Sequence, residues 1–156
     1  MSVDFDAINY FDVKHALKMH DFVIKQSGGV PGIKNVNLLE SVLGFIQDDV
    51  YYPTLLDKLT HLMFSINKNH AFHDGNKRAS LVLSAYFLSI NGYEHVVQRL
   101  MIDLEEVAVG VAENLIDKQL LAKILECVVY EFEYSDVLKQ EIDDALIRSV
   151  FGIKKS

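Results

Sequence analysis

One segment limits the folds open to this chain more than any other. Lys77 to Ile90 is apolar nearly all round a helical wheel, and a helix without a polar face must be covered on every side. The cover has to come from the rest of the chain. Its flanking segments repeat apolar residues at helical spacing, and no alternating pattern competes strongly. The expected fold class is therefore all-α. At 156 residues, half of them apolar, the chain is long enough for one domain with a real core.

The other helices follow from periodicity and end signals. Val13 to Gln26 carries Val13, Ala16, Leu17, Phe22 and Val23 or Ile24 on one face, and should stop at Ser27 before Gly28-Gly29-Val30-Pro31-Gly32. That loop lacks phosphate-loop spacing and reads as a turn before it reads as a functional loop. Leu38 to Ile46 is a short helix with Asn35 or Asn37 as N-cap. Thr54, with Asp57 three residues on, caps a helix that reaches about Lys68. Asn91-Gly92 closes the central helix, with Gly92 suited to the left-handed position past its end. Asp103 to about Leu115, Asp117 to about Phe132 and Asp136 to Phe151 read as three further helices. Tyr93 to Val97 has the composition to pair briefly as a strand.

Charge and cysteine usage exclude several functions. Net charge is −7, against a protein that coats nucleic acid, which needs clustered Lys and Arg. The one cysteine, Cys127, lies in an apolar helical pattern and reads as a core thiol. The first residues have no cationic and apolar leader, and no run approaches the roughly 18 apolar residues of a membrane span. A cytoplasmic protein without a membrane partner is expected.

Immediately before the central helix stands Asn69-His70-Ala71-Phe72-His73-Asp74-Gly75-Asn76-Lys77-Arg78. If the helix begins near Gly75, its first backbone N–H groups lack internal partners and form an anion site. Gly75 lets a phosphate approach closely, because no Cβ intervenes. Asn76 has an amide N–H to donate, and Lys77 and Arg78 add cationic donors. Asp74 is a hard oxygen ligand suited to Mg²⁺. His70 can take the proton of a hydroxyl from the opposite side, while Phe72 anchors the loop in the core. These parts suit attack on a phosphorus centre. The plainer alternative is a polar helix start with Asp74 as N-cap and a solvated His70. A zinc pair of His70 and His73 would need further ligands, and His61 and His95 have no organised spacing to supply them.

The stretch resembles the signature of the Fic/Doc superfamily, H-x-F-x-D/E-G/A-N-G/K-R. Gly28 to Gly32 with Leu38-Leu39-Glu40-Ser41, Phe87 to Tyr93, and Glu106 to Gly110 are similar to flanking segments of death-on-curing toxins. The likeness covers roughly residues 10–130 and implies one domain over 1–156, a helical core with the active-site loop between two central helices, and a helical extension over 131–156. It further implies that His70 is the base, Asp74 the Mg²⁺ ligand, Gly75, Asn76 and Lys77 the anion-binding turn, and Arg78 the grip on a terminal phosphate. ATP would be the substrate.

Departures from the pattern select between branches. Adenylylating members usually read H-P-F-x-D/E-G-N-G-R-x-x-R. Here Ala71, Lys77 and Leu81 stand at the proline, second glycine and second arginine. Lys77 and Leu81 resemble the Doc branch, whose members imply γ-phosphoryl transfer to a threonine of elongation factor Tu. Gly75 instead resembles the nucleotidylating enzymes, so AMP transfer stays open, as does a non-catalytic, partner-binding member. The inhibitory pattern S/T-x-x-x-E-G/N is missing: Phe45, Lys58 and Lys139 follow Ser41, Thr54 and Ser135 at the glutamate position. The resemblance thus implies an antitoxin whose helix shields Arg78 in trans. The acidic tail from Glu131 to Asp144 reads as a solvated amphipathic helix packed on the core.

Overall fold

The computed structural model describes residues 7–131 and 133–150, the last three by backbone alone. Eight α-helices run through the described residues: α1 (Val13–Ser27), α2 (Val36–Phe45), α3 (Leu55–Asn69), α4 (Asn76–Ser89), α5 (Val97–Asp103), α6 (Glu105–Ala112), α7 (Lys118–Tyr130) and α8 (Asp136–Val150). The all-α expectation holds.

Each helix end follows local chemistry. Asp12 opens α1 by accepting from the His15 N–H, and Gly28, at φ 79°, closes it. Of the two candidate caps for α2, Asn35 does the work, accepting from the Asn37 N–H at 3.1 Å. Thr54 and Asp57 form a reciprocal capping box at the start of α3. Gly92, at φ 87°, takes the left-handed position beyond α4.

α3 and α4 make the most extensive contact between described elements and form the hub. Leu59, Leu62, Met63 and Ile66 from α3 meet Leu83, Phe87 and Leu88 from α4, all essentially buried. α1, α5 and α6 pack against α4; α2, α6 and α7 pack against α3. Beyond its first turn, where Lys77 and Arg78 are exposed, α4 is thereby largely covered, as its composition demands. Lys58 is buried as well: its Nζ donates to the Ile46 carbonyl (2.8 Å) and to Asp49 Oδ1 (2.7 Å), tying the α2–α3 loop to α3.

Three expectations need correction. Tyr93 to Val97 forms no strand; the Tyr93 N–H donates to the Leu88 carbonyl, and Glu94–Val96 is one 3-10 turn. Asp103 to Leu115 is not one helix. A helix starts earlier, at Val97, and α5 gives way to α6 at Leu104, whose buried side chain holds the bend in the core. The chain turns out of α6 at Asn114 (φ 62°), so that the Leu115 and Ile116 N–H groups both reach the Gly110 carbonyl. Finally, α7 stops at Tyr130, because Glu131 is extended. Phe132 and Phe151 lie outside the described residues.

α8 packs through Leu138 and Ala145, whereas Val137 and Ile147 are 72% and 52% exposed. Cys127 is buried and its thiol donates to the Glu133 carbonyl at 3.2 Å. Burial pushes that thiol above its ordinary value, consistent with a core thiol. No described helix is long and apolar enough to cross a membrane.

Candidate active site

The loop between α3 and α4 carries the candidate residues, and its path is set at both ends by left-handed backbone. His70 caps α3 at φ 52°, ψ 47°. Few non-glycine residues accept that conformation, and it turns the chain sharply off the helix axis. Gly75, at φ 73°, opens α4. The N-cap glycine has no side chain to offer, so the N–H groups of the first turn from Asn76 onward receive no side-chain cap. Asp74 is therefore not the N-cap.

Between the two turns, Phe72 is buried at 1% exposure and anchors the loop, as expected. A staple holds it. Asn76 Nδ2 donates to the Phe72 carbonyl (3.1 Å) while the Phe72 N–H donates to Asn76 Oδ1 (3.2 Å). Asn76 thus serves the loop's own backbone with the amide that its residue type offers to a phosphate. Its contribution to an anion would come from its main-chain N–H in the first turn of α4.

The glycine-rich loop after α1 lies directly against this stretch. Ile33 pairs with Phe72 in an isolated antiparallel bridge. The Lys34 and Asn35 N–H groups donate to the Ala71 carbonyl at 2.7 and 2.9 Å, and the His73 N–H donates to the Gly32 carbonyl at 3.2 Å. Asp74 Oδ1 accepts from the Gly75 N–H at 2.9 Å, and Oδ2 accepts from the Val30 N–H at 3.3 Å. Those two N–H donors, Gly75 first, hold the Asp74 carboxyl below its ordinary value. It stays an anion at any pH near neutrality.

His70, Asp74, Lys77 and Arg78 line a single cavity of about 440 Å³, a volume within the roughly 300–1,000 Å³ of small-ligand sites. Ala108, Val109 and Ala112 of α6, with Leu81 of α4, give it an apolar part of its lining. Lys77 and Arg78 are exposed to it. Arg78 Nη2 lies 3.8 Å from Glu105 Oε1. Both side chains are largely exposed, so this same-chain acid is a weak partner, worth about 0–1 kcal/mol. A larger depression of about 830 Å³, bounded by Tyr10, Phe11, Asp12, His15, Glu40 and Tyr86, lies elsewhere and is lined by no lysine or arginine.

The sequence-derived residues therefore converge on one cavity. What sequence reasoning missed is the second layer: His20, the Gly29–Val30 turn and Glu105. The Gly28 to Gly32 run was the available signal for the turn; nothing near His20 or Glu105 marked them. Among the described residues, no cluster of three or more His, Cys, Asp or Glu side chains is placed to hold a metal. A divalent ion here would take Asp74 as one ligand and draw the others from phosphate and water, the mode Mg²⁺ favours.

Comparison with known proteins bears directly on this arrangement. The Protein kinase doc of Escherichia phage P1 is 29% identical over 91 residues, 56% of this chain and 71% of that protein. The Toxin Doc of Mycolicibacterium smegmatis (strain ATCC 700084 / mc(2)155) is 38% identical over 71 residues, 43% of this chain and 55% of that protein. The model described as Fic/DOC family matches residues 10–88, half of the chain and the span from α1 through the signature loop to α4. The chain belongs to the Fic/DOC family.

Proposed function

We propose that this protein is a Doc-like toxin that transfers the γ-phosphoryl group of ATP to a hydroxyl of a target protein. One observation carries the reading: a histidine, a carboxylate and a helix N-terminus with two cations line the same cavity. The helix start, Lys77 and Arg78 would hold the phosphates and take up charge as it develops. Asp74 would hold Mg²⁺, which supplies further neutralisation of the phosphate oxygens. The carboxylate fits that task because each oxygen receives one backbone N–H and keeps lone pairs free.

In the transfer itself, His70 would accept the proton of the target hydroxyl. The hydroxyl oxygen bonds to the γ-phosphorus, the bond from that phosphorus to the β–γ bridging oxygen breaks, and ADP leaves. The phage relative's name, a protein kinase, together with Lys77 and Leu81, supports phosphoryl over nucleotidyl transfer. Gly75 favours the second reading, AMP transfer to the same hydroxyl. A translation factor such as elongation factor Tu is the first target to test, and an antitoxin that covers the cavity in trans is the partner this reading calls for.

Intact mass of that target after incubation with ATP and Mg²⁺ distinguishes the readings. A gain of about 80 Da marks phosphate and about 329 Da marks AMP, from the group formulae of the transfer. His70→Ala should abolish the gain, and Asp74→Ala should lose both rate and Mg²⁺ dependence. An unmodified panel of translation factors, or full activity in His70→Ala, overturns the kinase reading.

A further inference from the structure

The residues of the signature do not set their own orientation. α1, more than fifty positions earlier in the chain, presses on the turn that opens α4. His20 is buried, and its ring stacks on Phe72 at 3.8 Å between centroids with 7° between planes. Its Nε2 lies 2.7 Å from the main-chain carbonyl oxygen of Asp74. A carbonyl only accepts, so Nε2 carries the hydrogen and donates it. That bond fixes the peptide between Asp74 and Gly75, whose N–H is itself held by Asp74 Oδ1 and which leads directly into the first turn of α4.

The packing leaves this peptide little room. A Cβ on Gly75 would stand 3.2 Å from Ile24 Cδ1 and 3.5 Å from His20 Nε2. The side chain of Asp74 is held from outside as well. The Val30 N–H reaches its Oδ2, and a Cβ on Gly29 would lie 2.8 Å from that same oxygen. Gly29, at φ 113°, can approach so closely because it has no side chain.

We infer that His20 and the Gly29–Val30 turn are positioning elements for the phosphate and metal site: His20 aims the Asp74–Gly75 peptide, and the turn aims the Asp74 carboxylate. The inference rests on the reading of Asp74 to Arg78 as a phosphate-binding turn. It assigns a role to an α1 histidine and to a loop that the chemistry of the transfer does not use. Neither touches the reacting atoms. Each acts through Asp74, by removing alternative orientations before ATP arrives.

Two substitutions separate the functions of His20. His20→Phe keeps a ring against Phe72 and removes the donor. His20→Gln removes the ring and keeps an amide N–H at the same bond distance from Cα. The readouts are Mg-ATP affinity by calorimetry, thermal midpoint, and the Gly75 amide line in proton–nitrogen spectra of the free protein. His20→Phe should weaken Mg-ATP about tenfold, the scale of one lost hydrogen bond, and broaden the Gly75 line. His20→Gln should restore both, even if its thermal midpoint is the lower of the two. Equal affinity and a sharp line in His20→Phe overturn the inference. So does loss of affinity in step with thermal midpoint in both variants, since that pattern is packing alone. If His20→Phe does not fold, Gly29→Ala, in an exposed turn, decides: weakened metal-dependent ATP binding supports the inference, and unchanged binding overturns it. If the unaltered protein binds no Mg-ATP, the phosphate-site reading fails by itself. The Gly75 line then still judges positioning, supported if it broadens in His20→Phe or, failing that variant, in Gly29→Ala, and overturned if it stays sharp.

Discussion

Asn76 illustrates how residue type underdetermines role. Its amide suits a phosphate oxygen, yet its side chain is buried and bonded at both ends to the backbone of Phe72. Removing it leaves a buried N–H and a buried carbonyl without partners, each a desolvation cost. Asn76→Ala should therefore destabilise the fold by about 2 kcal/mol, read as a lower urea midpoint. Asn76→Asp keeps the acceptor for the Phe72 N–H and should fall between the two. If Asn76→Ala lowered nucleotide affinity while leaving the urea midpoint untouched, the side chain would be a ligand contact and not a staple.

At the scale of elements, the site is a product of how two helices end and begin. α3 ends in a left-handed residue, α4 begins in another, and the loop between them is pinned by Phe72. The far end of α3 is secured separately by the Thr54–Asp57 capping box. Thr54→Ala should cost about 1 kcal/mol of stability and leave ATP affinity unchanged, because the cap lies at the opposite end of α3 from His70. A parallel loss of affinity in calorimetry would mean that fraying at Thr54 propagates to the loop. The short elements between α4 and α7 were the hard ones to read. α5 and α6 are short, and their division at Leu104 depends on where a buried leucine seats in the core, which periodicity does not specify. Tyr93 to Val97 has strand composition but no partner strand among the described residues, so the Tyr93 N–H turns back to the Leu88 carbonyl of α4 while the Val96 and Val97 N–H groups close a turn onto Tyr93 and Glu94.

For the molecule as a whole, His61 is a source of acid sensitivity outside the site. His61 on α3 sits half-buried against Tyr52, with Lys118 Nζ at 3.0 Å from its Nδ1. Burial, then the Lys118 charge, lowers it from 6.5 to about 4. The unfolded chain takes up this proton as pH falls through 6.5, whereas the folded chain resists until about 4. Stability is therefore undiminished above the unfolded value, declines between the two, and stays reduced below the folded one. The share lost is on the order of 1–2 kcal/mol once solvent screening of a half-exposed group is allowed for. His61→Gln should flatten the thermal midpoint across that interval relative to the unaltered protein. Parallel profiles would show that His61 titrates normally. Asp74 adds no such sensitivity near neutrality, since its carboxyl is held below the ordinary range.

What the chain's order of residues determined unaided was the helical class, the hub helix α4 and the cavity-lining set His70, Asp74, Gly75, Lys77 and Arg78. Helical period, end signals and a short motif are all local, and local order survives in a linear reading. Tertiary structure alone decided what orients that set. His20 meets Asp74 across 54 positions and Val30 meets it across 44, while Glu105 comes to Arg78 from a different helix. Such contacts depend on how α1 and α6 pack against α4, and packing follows from the whole apolar surface at once and not from any one segment.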